Sequence, residues 1–241
     1  KNWFNTGSFL TGVAGGNLTS PALAGEYADM PDPSAIQTHI LNGTPPTSPN
    51  NAVFLDSMIL ERLYKDVLRQ EYGSWDRTKA GGQKVRIGNV MVPYKDSEGI
   101  WTVGPGFNLE APGADAALKG AGITDRSAQD IIAGKAHLTV QESQNIFRYQ
   151  LDLAAREALT FVPMFHTFEP EAQEAIVNMV YQMGLNGVLS FHNAIQRLQE
   201  RDYRGFVDEL RNSVWYKKQT PSRAKWVVSR IEKSLKETGR I

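Results

Sequence analysis

The chain has no cysteine, so disulfides and thiolate metal sites are excluded and the redox compartment cannot be read from it. It has no net charge either, since 26 Lys and Arg offset 26 Asp and Glu. Neither nucleic acid nor a membrane surface is therefore expected as a partner on electrostatic grounds. No apolar run approaches the roughly 20 residues of a membrane span. Lys1 is not followed by an apolar core of signal-peptide length, because Phe9-Leu10 gives way at once to Thr11-Gly12. The four histidines (His39, His137, His166 and His192) lack metal-ligand spacing, and no phosphate loop or nucleophile elbow occurs. Neither a metal nor a cofactor is expected.

What is present divides the chain in two. Residues 1–50 are punctuated by Gly7, Gly12, Gly15, Gly16, Gly25 and Gly43, and by Pro21, Pro31, Pro33, Pro45, Pro46 and Pro49. Such a segment cannot bury a core of its own and reads as a linker or as an arm that orders on a partner. Trp3, Phe4, Phe9 and Leu10 favour the arm, because large apolar groups at a chain end need a surface to cover them. Residues 51–241 read as the domain. Phe54, Leu55, Met58, Ile59, Leu63, Val67 and Leu68 recur at helical steps, and Asn50 or Asn51 can cap that helix, which ends near Tyr72-Gly73.

Loop and strands follow to residue 109, with Gly88-Asn89 turning between Lys84–Ile87 and Val90–Val92. Pro112, Gly113, Gly120 and Gly122 suggest a connection. The remainder is helical: Ser127 to Ala133, a long helix opened by the capping-box spacing of Thr139 and Glu142 and running to about Leu159, then Pro170 to Met183, Val188 to Glu200, Tyr203 to Trp215, and Pro221 to Lys236 with Thr220 as cap.

The chemistry concentrates in Tyr94-Lys95-Asp96-Ser97-Glu98-Gly99-Ile100-Trp101-Thr102-Val103-Gly104-Pro105-Gly106-Phe107-Asn108-Leu109. This reads as a β-hairpin that puts a carboxylate and a hydroxyl six positions apart across a turn. Asp96 and Thr102 could hold one water between them, although acids and threonines also flank many solvated turns. Further on come Asn178-Met179-Val180-Tyr181-Gln182-Met183-Gly184 and Trp215-Tyr216, followed by Gln219-Thr220-Pro221-Ser222-Arg223-Ala224-Lys225.

These three motifs, in this order, resemble the phage-type lysozymes of glycoside hydrolase family 24. The resemblance runs from about Phe54 to about Ile231. It implies an α+β, mostly helical, two-lobed fold, with a small β-hairpin lobe and a larger helical lobe flanking a cleft. It also implies an inverting muramidase that cuts the MurNAc-β-1,4-GlcNAc bond of bacterial peptidoglycan. In that chemistry one carboxylic acid protonates the leaving oxygen and one carboxylate activates water.

The resemblance assigns Asp96 as base with Thr102 as its partner in placing water. In the family the acid closes the first helix nine residues before the base. Here Leu68-Arg69-Gln70-Glu71-Tyr72-Gly73 is the best match, so Glu71 is the expected acid. That leaves about sixteen inserted residues, which an extra hairpin at Lys84 to Val92 could absorb. Glu61, ten residues earlier on the same helix, is a rival. Gly104 and Gly106 are expected to let backbone approach closely at the substrate cleft. Gln182 and Arg223 are candidate contacts to sugar or stem peptide. Trp215 and Tyr216 either stack on sugar or pack in the core. Glu98 reads as a solvent-facing turn carboxylate. One departure is Phe107, where the T-even lysozymes carry His.

Two settings fit the resemblance. A free endolysin would wait in the host cytoplasm and act on the wall at lysis. A virion-borne lysozyme, seated among tail proteins through residues 1–50, would open the wall during entry, and the N-terminal extension favours it. A lysozyme-fold module without activity and a lytic transglycosylase are the alternatives. Asp96 and Thr102 argue against the second, which needs no water-activating carboxylate.

Overall fold

The computed structural model describes residues 57–240. The expected arm at 1–50 and the expected cap at Asn50 or Asn51 lie outside the described residues. The first described helix, α1 (Ser57–Glu71), turns Ile59, Leu63, Tyr64 and Val67 inward at steps of one helical turn. It stops because Gly73 takes φ +79, and the N–H groups of Tyr72 and Gly73 both return to the Leu68 carbonyl.

Three small antiparallel sheets follow. The first is a hairpin of β1 (Lys79–Ala80) and β2 (Gln83–Lys84). The second is β3 (Arg86–Ile87) and β4 (Val90–Met91), turned at Gly88-Asn89 as the sequence suggests; β8 (Leu138–Thr139) joins its edge. The third is β5 (Tyr94–Lys95), β6 (Trp101–Val103) and β7 (Phe107–Asn108), with Tyr94 opposite Thr102 and Thr102 opposite Asn108. The extra chain between α1 and the β5–β6 hairpin thus forms two hairpins, not one. The β1–β2 hairpin buries none of its side chains.

A short helix, α2 (Ala114–Gly120), occupies the stretch read from its glycines and proline as a connection. Ala114 and Leu118, four apart, are both buried, and that pair drives the turn into the core. Gly120 is required because a Cβ there would sit 2.2 Å from the Tyr149 ring. Helix α3 (Ala128–Ile132) begins at Ser127 with a capping box closed by Asp130.

The longest helix, α4 (Val140–Phe161), starts with the expected capping box of Thr139 and Glu142. Its 22 residues span about 33 Å. Ile146 belongs to the core of the small lobe, with Tyr94, Val103, Phe107, Leu118 and Leu138. Phe147, Leu151, Ala154 and Ala158 belong to the core of the helical lobe. One helix therefore takes part in both cores. Phe107, the departure from the motif noted above, packs into the smaller one at 4% exposure.

The helical lobe is completed by α5 (Pro170–Leu189), α6 (His192–Gln199), α7 (Tyr203–Asn212) and α8 (Pro221–Glu237). Two boundaries differ from the sequence reading. The first of these helices kinks at Gly184 (φ 75, ψ 163) but resumes at once, so Val188 closes it and does not open the next. The third ends at Asn212, because Ser213 is extended and a wide π-type turn over Trp215–Gln219 carries the chain onward. Thr220 does stand at the cap position before Pro221, but its buried hydroxyl makes no capping bond. Among the described residues, no helix is long and apolar enough to cross a membrane.

Candidate active site

Glu71 is the last residue of α1, and its side chain is only 10% exposed. Its carboxylate meets the guanidinium of Arg223, near the start of α8, in a direct ion pair. Arg223 is equally enclosed; its Nε donates to Asn178 Oδ1 at 2.8 Å, and its guanidinium lies 5.8 Å from the centre of the Tyr181 ring. Burial pushes the Arg223 guanidinium down to about 9, because the charged form is the one that suffers desolvation. Three helices thus meet around this ion pair: α1 supplies the acid, α8 the cation, and α5 the Asn178 and Tyr181 that flank the cation. Arg223, read from sequence as a ligand contact, is placed against Glu71.

Asp96 sits at the turn between β5 and β6. Its Oδ1 accepts the N–H of Glu98 at 2.9 Å and that of Ile100 at 3.0 Å. Both bonds fall on one oxygen, which leaves Oδ2 for a different partner. Thr102 is 2% exposed, and its hydroxyl donates to the Ile100 carbonyl at 3.2 Å. The Asp96 N–H donates to that same carbonyl at 3.0 Å. Asp96 and Thr102 are therefore linked through the backbone of Ile100, which fixes their relative position without direct contact. Glu98 is exposed, as its turn position suggests.

The insert is tied to this hairpin by Gln83. Its side-chain amide donates to the Lys95 carbonyl at 2.6 Å and accepts the Lys95 N–H at 3.2 Å, a stand-in for a strand pairing one residue before Asp96. Gly104 (φ +58) carries no side chain because α4 occupies the space: a Cβ there would lie 2.1 Å from Ser143 Oγ. Its carbonyl accepts the Tyr94 hydroxyl at 3.2 Å. Gly106 (φ 90) turns the chain back, its N–H bonding to the Gly104 carbonyl at 2.8 Å.

Gln182 accepts the Trp215 indole N–H at 3.1 Å. Both line an open groove with Met183, Gly187, Phe191 and Thr220. Trp215 is 2% exposed and meets Phe191 edge-on, so of its two readings core packing is the one found. Glu61 is half-exposed and paired with Arg148 of α4 at 2.6 Å. Among the described residues no cluster of three or more His, Cys, Asp or Glu could hold a metal.

The family described as phage lysozyme matches residues 84–230, more than half of the chain. The chain belongs to the phage lysozyme family. The match takes in Asp96, Thr102, Gly104, Gly106, Gln182 and Arg223; Glu71 and the β1 strand precede it. Probable T4-type lysozyme 1 of Dictyostelium discoideum is 29% identical over 156 residues, 60% of this chain and 88% of that protein. The pre-baseplate central spike protein Gp5 of Enterobacteria phage T4 is 27% identical over 135 residues, 54% of this chain and 23% of its own. Peptidoglycan hydrolase gp36 of Pseudomonas phage phiKMV is 26% identical over 165 residues, 68% of this chain and 16% of its own. The mostly helical fold with small antiparallel sheets is the α+β lysozyme fold expected from the motifs.

Sequence reasoning missed the charges behind this candidate site. Glu174 is 5% exposed and contacts both Arg62 and Arg230. The available signal was an acid four residues before Asn178, on the buried face of the same helix.

Proposed function

We propose that the protein is an inverting muramidase that hydrolyses the MurNAc-β-1,4-GlcNAc bond of peptidoglycan, with Glu71 as acid and Asp96 as base. Membership of the phage lysozyme family and likeness to a phage peptidoglycan hydrolase support the substrate. The observation that carries the mechanism is Glu71 itself, a carboxylate enclosed at a helix end with one cation against it. In this reading Glu71 carries a proton when the substrate binds. Glu71 then gives its proton to the leaving glycosidic oxygen. Asp96, oriented by two backbone N–H groups, takes a proton from water as that water attacks the anomeric carbon, and the Thr102 hydroxyl helps to place it. Arg223 stabilises the Glu71 carboxylate once its proton has gone. Gln182 contacts sugar or stem peptide from the wall of the groove it shares with Trp215.

Residues 51–241 form the lysozyme domain in this reading, and residues 1–50 an arm that attaches it to tail proteins. Likeness to a T4 spike protein supports a virion setting, with action on the wall from the periplasmic side.

Digestion of purified peptidoglycan by the protein and by Glu71→Gln, with mass analysis of the fragments, tests the mechanism. Reducing-end muropeptides from the wild type and none from the variant are expected. Anhydro-ended products would mean transglycosylation and would remove Asp96 from the chemistry. A folded wild type that releases nothing would leave a lysozyme-fold module without activity.

A further inference from the structure

Behind the Glu71–Arg223–Asn178 contact lies a second charged layer on the same three helices. Arg62 of α1 reaches Glu174 Oε1 through Nη2 at 2.6 Å and Nε at 2.8 Å. Arg230 of α8 reaches Glu174 Oε2 at 2.9 Å and Asp66 Oδ2 of α1 at 2.8 Å. Asp66 is five residues before Glu71, Glu174 is four before Asn178, and Arg230 is seven after Arg223. At about 1.5 Å per residue the two layers are stacked roughly 6–10 Å apart along the helices. Each helix thus contributes one group to the layer at Glu71 and at least one to the layer behind it.

Cohesion alone does not call for this arrangement. Enclosing a carboxylate costs several kcal/mol of lost hydration, and apolar side chains of similar size would hold the helices together at no such cost. Apolar contacts, however, let helices slide. A carboxylate held on one oxygen by two nitrogens of Arg62 and on the other by Arg230, which also spans to Asp66, has one good geometry, and a shift of either neighbouring helix breaks it. Glu174 therefore fixes the axial position of α1 and α8 on α5, and those positions decide how Arg223 approaches Glu71.

We propose that Glu174 is a positioning residue for the glycosidase chemistry, acting through Arg62 and Arg230 on the contact between Arg223 and Glu71. The inference rests on the reading of Glu71 as the acid. It is tested in the full chain with Glu174→Gln, which keeps the shape and removes the charge, and with Arg62→Met, which alters a half-exposed side chain and leaves Arg230 on Glu174. Leu198→Ala, in the core of the helical lobe and away from the clamp, serves as a variant that only destabilises. Turnover is measured on solubilised peptidoglycan well below each thermal midpoint.

Glu174→Gln should lower kcat about tenfold, since small misplacements of reacting groups have effects of that order or larger. Arg62→Met should lower it about threefold, KM should stay within about twofold in both, and Leu198→Ala should keep wild-type kcat. Wild-type kcat in Arg62→Met, or a rise in KM without a fall in kcat in either clamp variant, would overturn the proposal. Glu71→Gln, run alongside, separates the two claims. Turnover that survives in it removes the acid assignment, whereas turnover lost there but intact in both clamp variants removes only the clamp.

Discussion

Gly104→Ala should destabilise the protein by an amount that can be worked out in two parts. The residue has φ +58, a conformation in which an L side chain costs about 1–2 kcal/mol. The new Cβ would also lie 2.1 Å from Ser143 Oγ, and overpacking of that kind costs about 1–3 kcal/mol. The sum is about 2–5 kcal/mol. The two parts separate because the next nearest atom is Ser143 Cβ at 3.5 Å, an ordinary contact. In a Ser143→Ala background the steric part should vanish and the backbone part remain. Urea unfolding of the four proteins of this double-mutant cycle gives the coupling directly, provided the slope with denaturant is the same in all four. A coupling of about 1–3 kcal/mol is expected. Equal losses from Gly104→Ala with and without the Ser143 hydroxyl would refute the argument, because they would mean that the serine turns aside freely and that α4 does not dictate this glycine.

Two further outcomes follow from charges in the helical lobe. Arg223→Met leaves Glu71 enclosed without its cation and should cost about 3–5 kcal/mol in thermal or denaturant unfolding; a loss under about 1 kcal/mol would mean the pair is solvated. Glu157 on α4 has its carboxyl raised to about 7 by burial alone. The folded state thus holds a proton that the unfolded chain releases near 4.5, so stability should fall as pH rises from about 4.5 through 7. Glu157→Gln should remove that fall and gain about 1–3 kcal/mol at pH 8 while changing little at pH 4; equal effects at both pH values would exclude the titration as its cause.

The parts of the fold that the sequence disclosed are those whose causes are local. Gly88-Asn89 between short apolar runs, the Asp96 turn, and the Thr139–Glu142 capping box are each decided within a few residues. Helix α2 was hidden because Gly113 and Gly120 bound it, and the reason for Gly120 is a tyrosine on another helix. Gly184 read as a helix end, yet the backbone passes through one non-helical residue and continues. In the candidate site, Asp96 and Thr102 were legible as a pair on one hairpin. Their link through the Ile100 backbone was not, because it depends on the turn geometry. The partners of Glu71 were beyond reach for a different reason. Arg223 lies near the other end of the chain, and only the packing of three helices brings it there.

The exposed β1–β2 hairpin bears on how this chain can change. Twenty-five positions separate Glu71 from Asp96, against nine in the relatives its motifs resemble. Closing the longer loop costs only about 0.9 kcal/mol more than closing the shorter one. The β1–β2 hairpin buries no side chain, unlike β4 with its Met91, and the Gln83 amide pins it back to Lys95. Length at this point is thus nearly neutral, because the helix end and the turn are anchored by their own contacts. A peptide tag or a small binding module spliced between Gly81 and Gly82 would extend an open turn whose two glycines face no neighbouring atom, so the segment is a natural port for grafting new specificity onto a lysozyme.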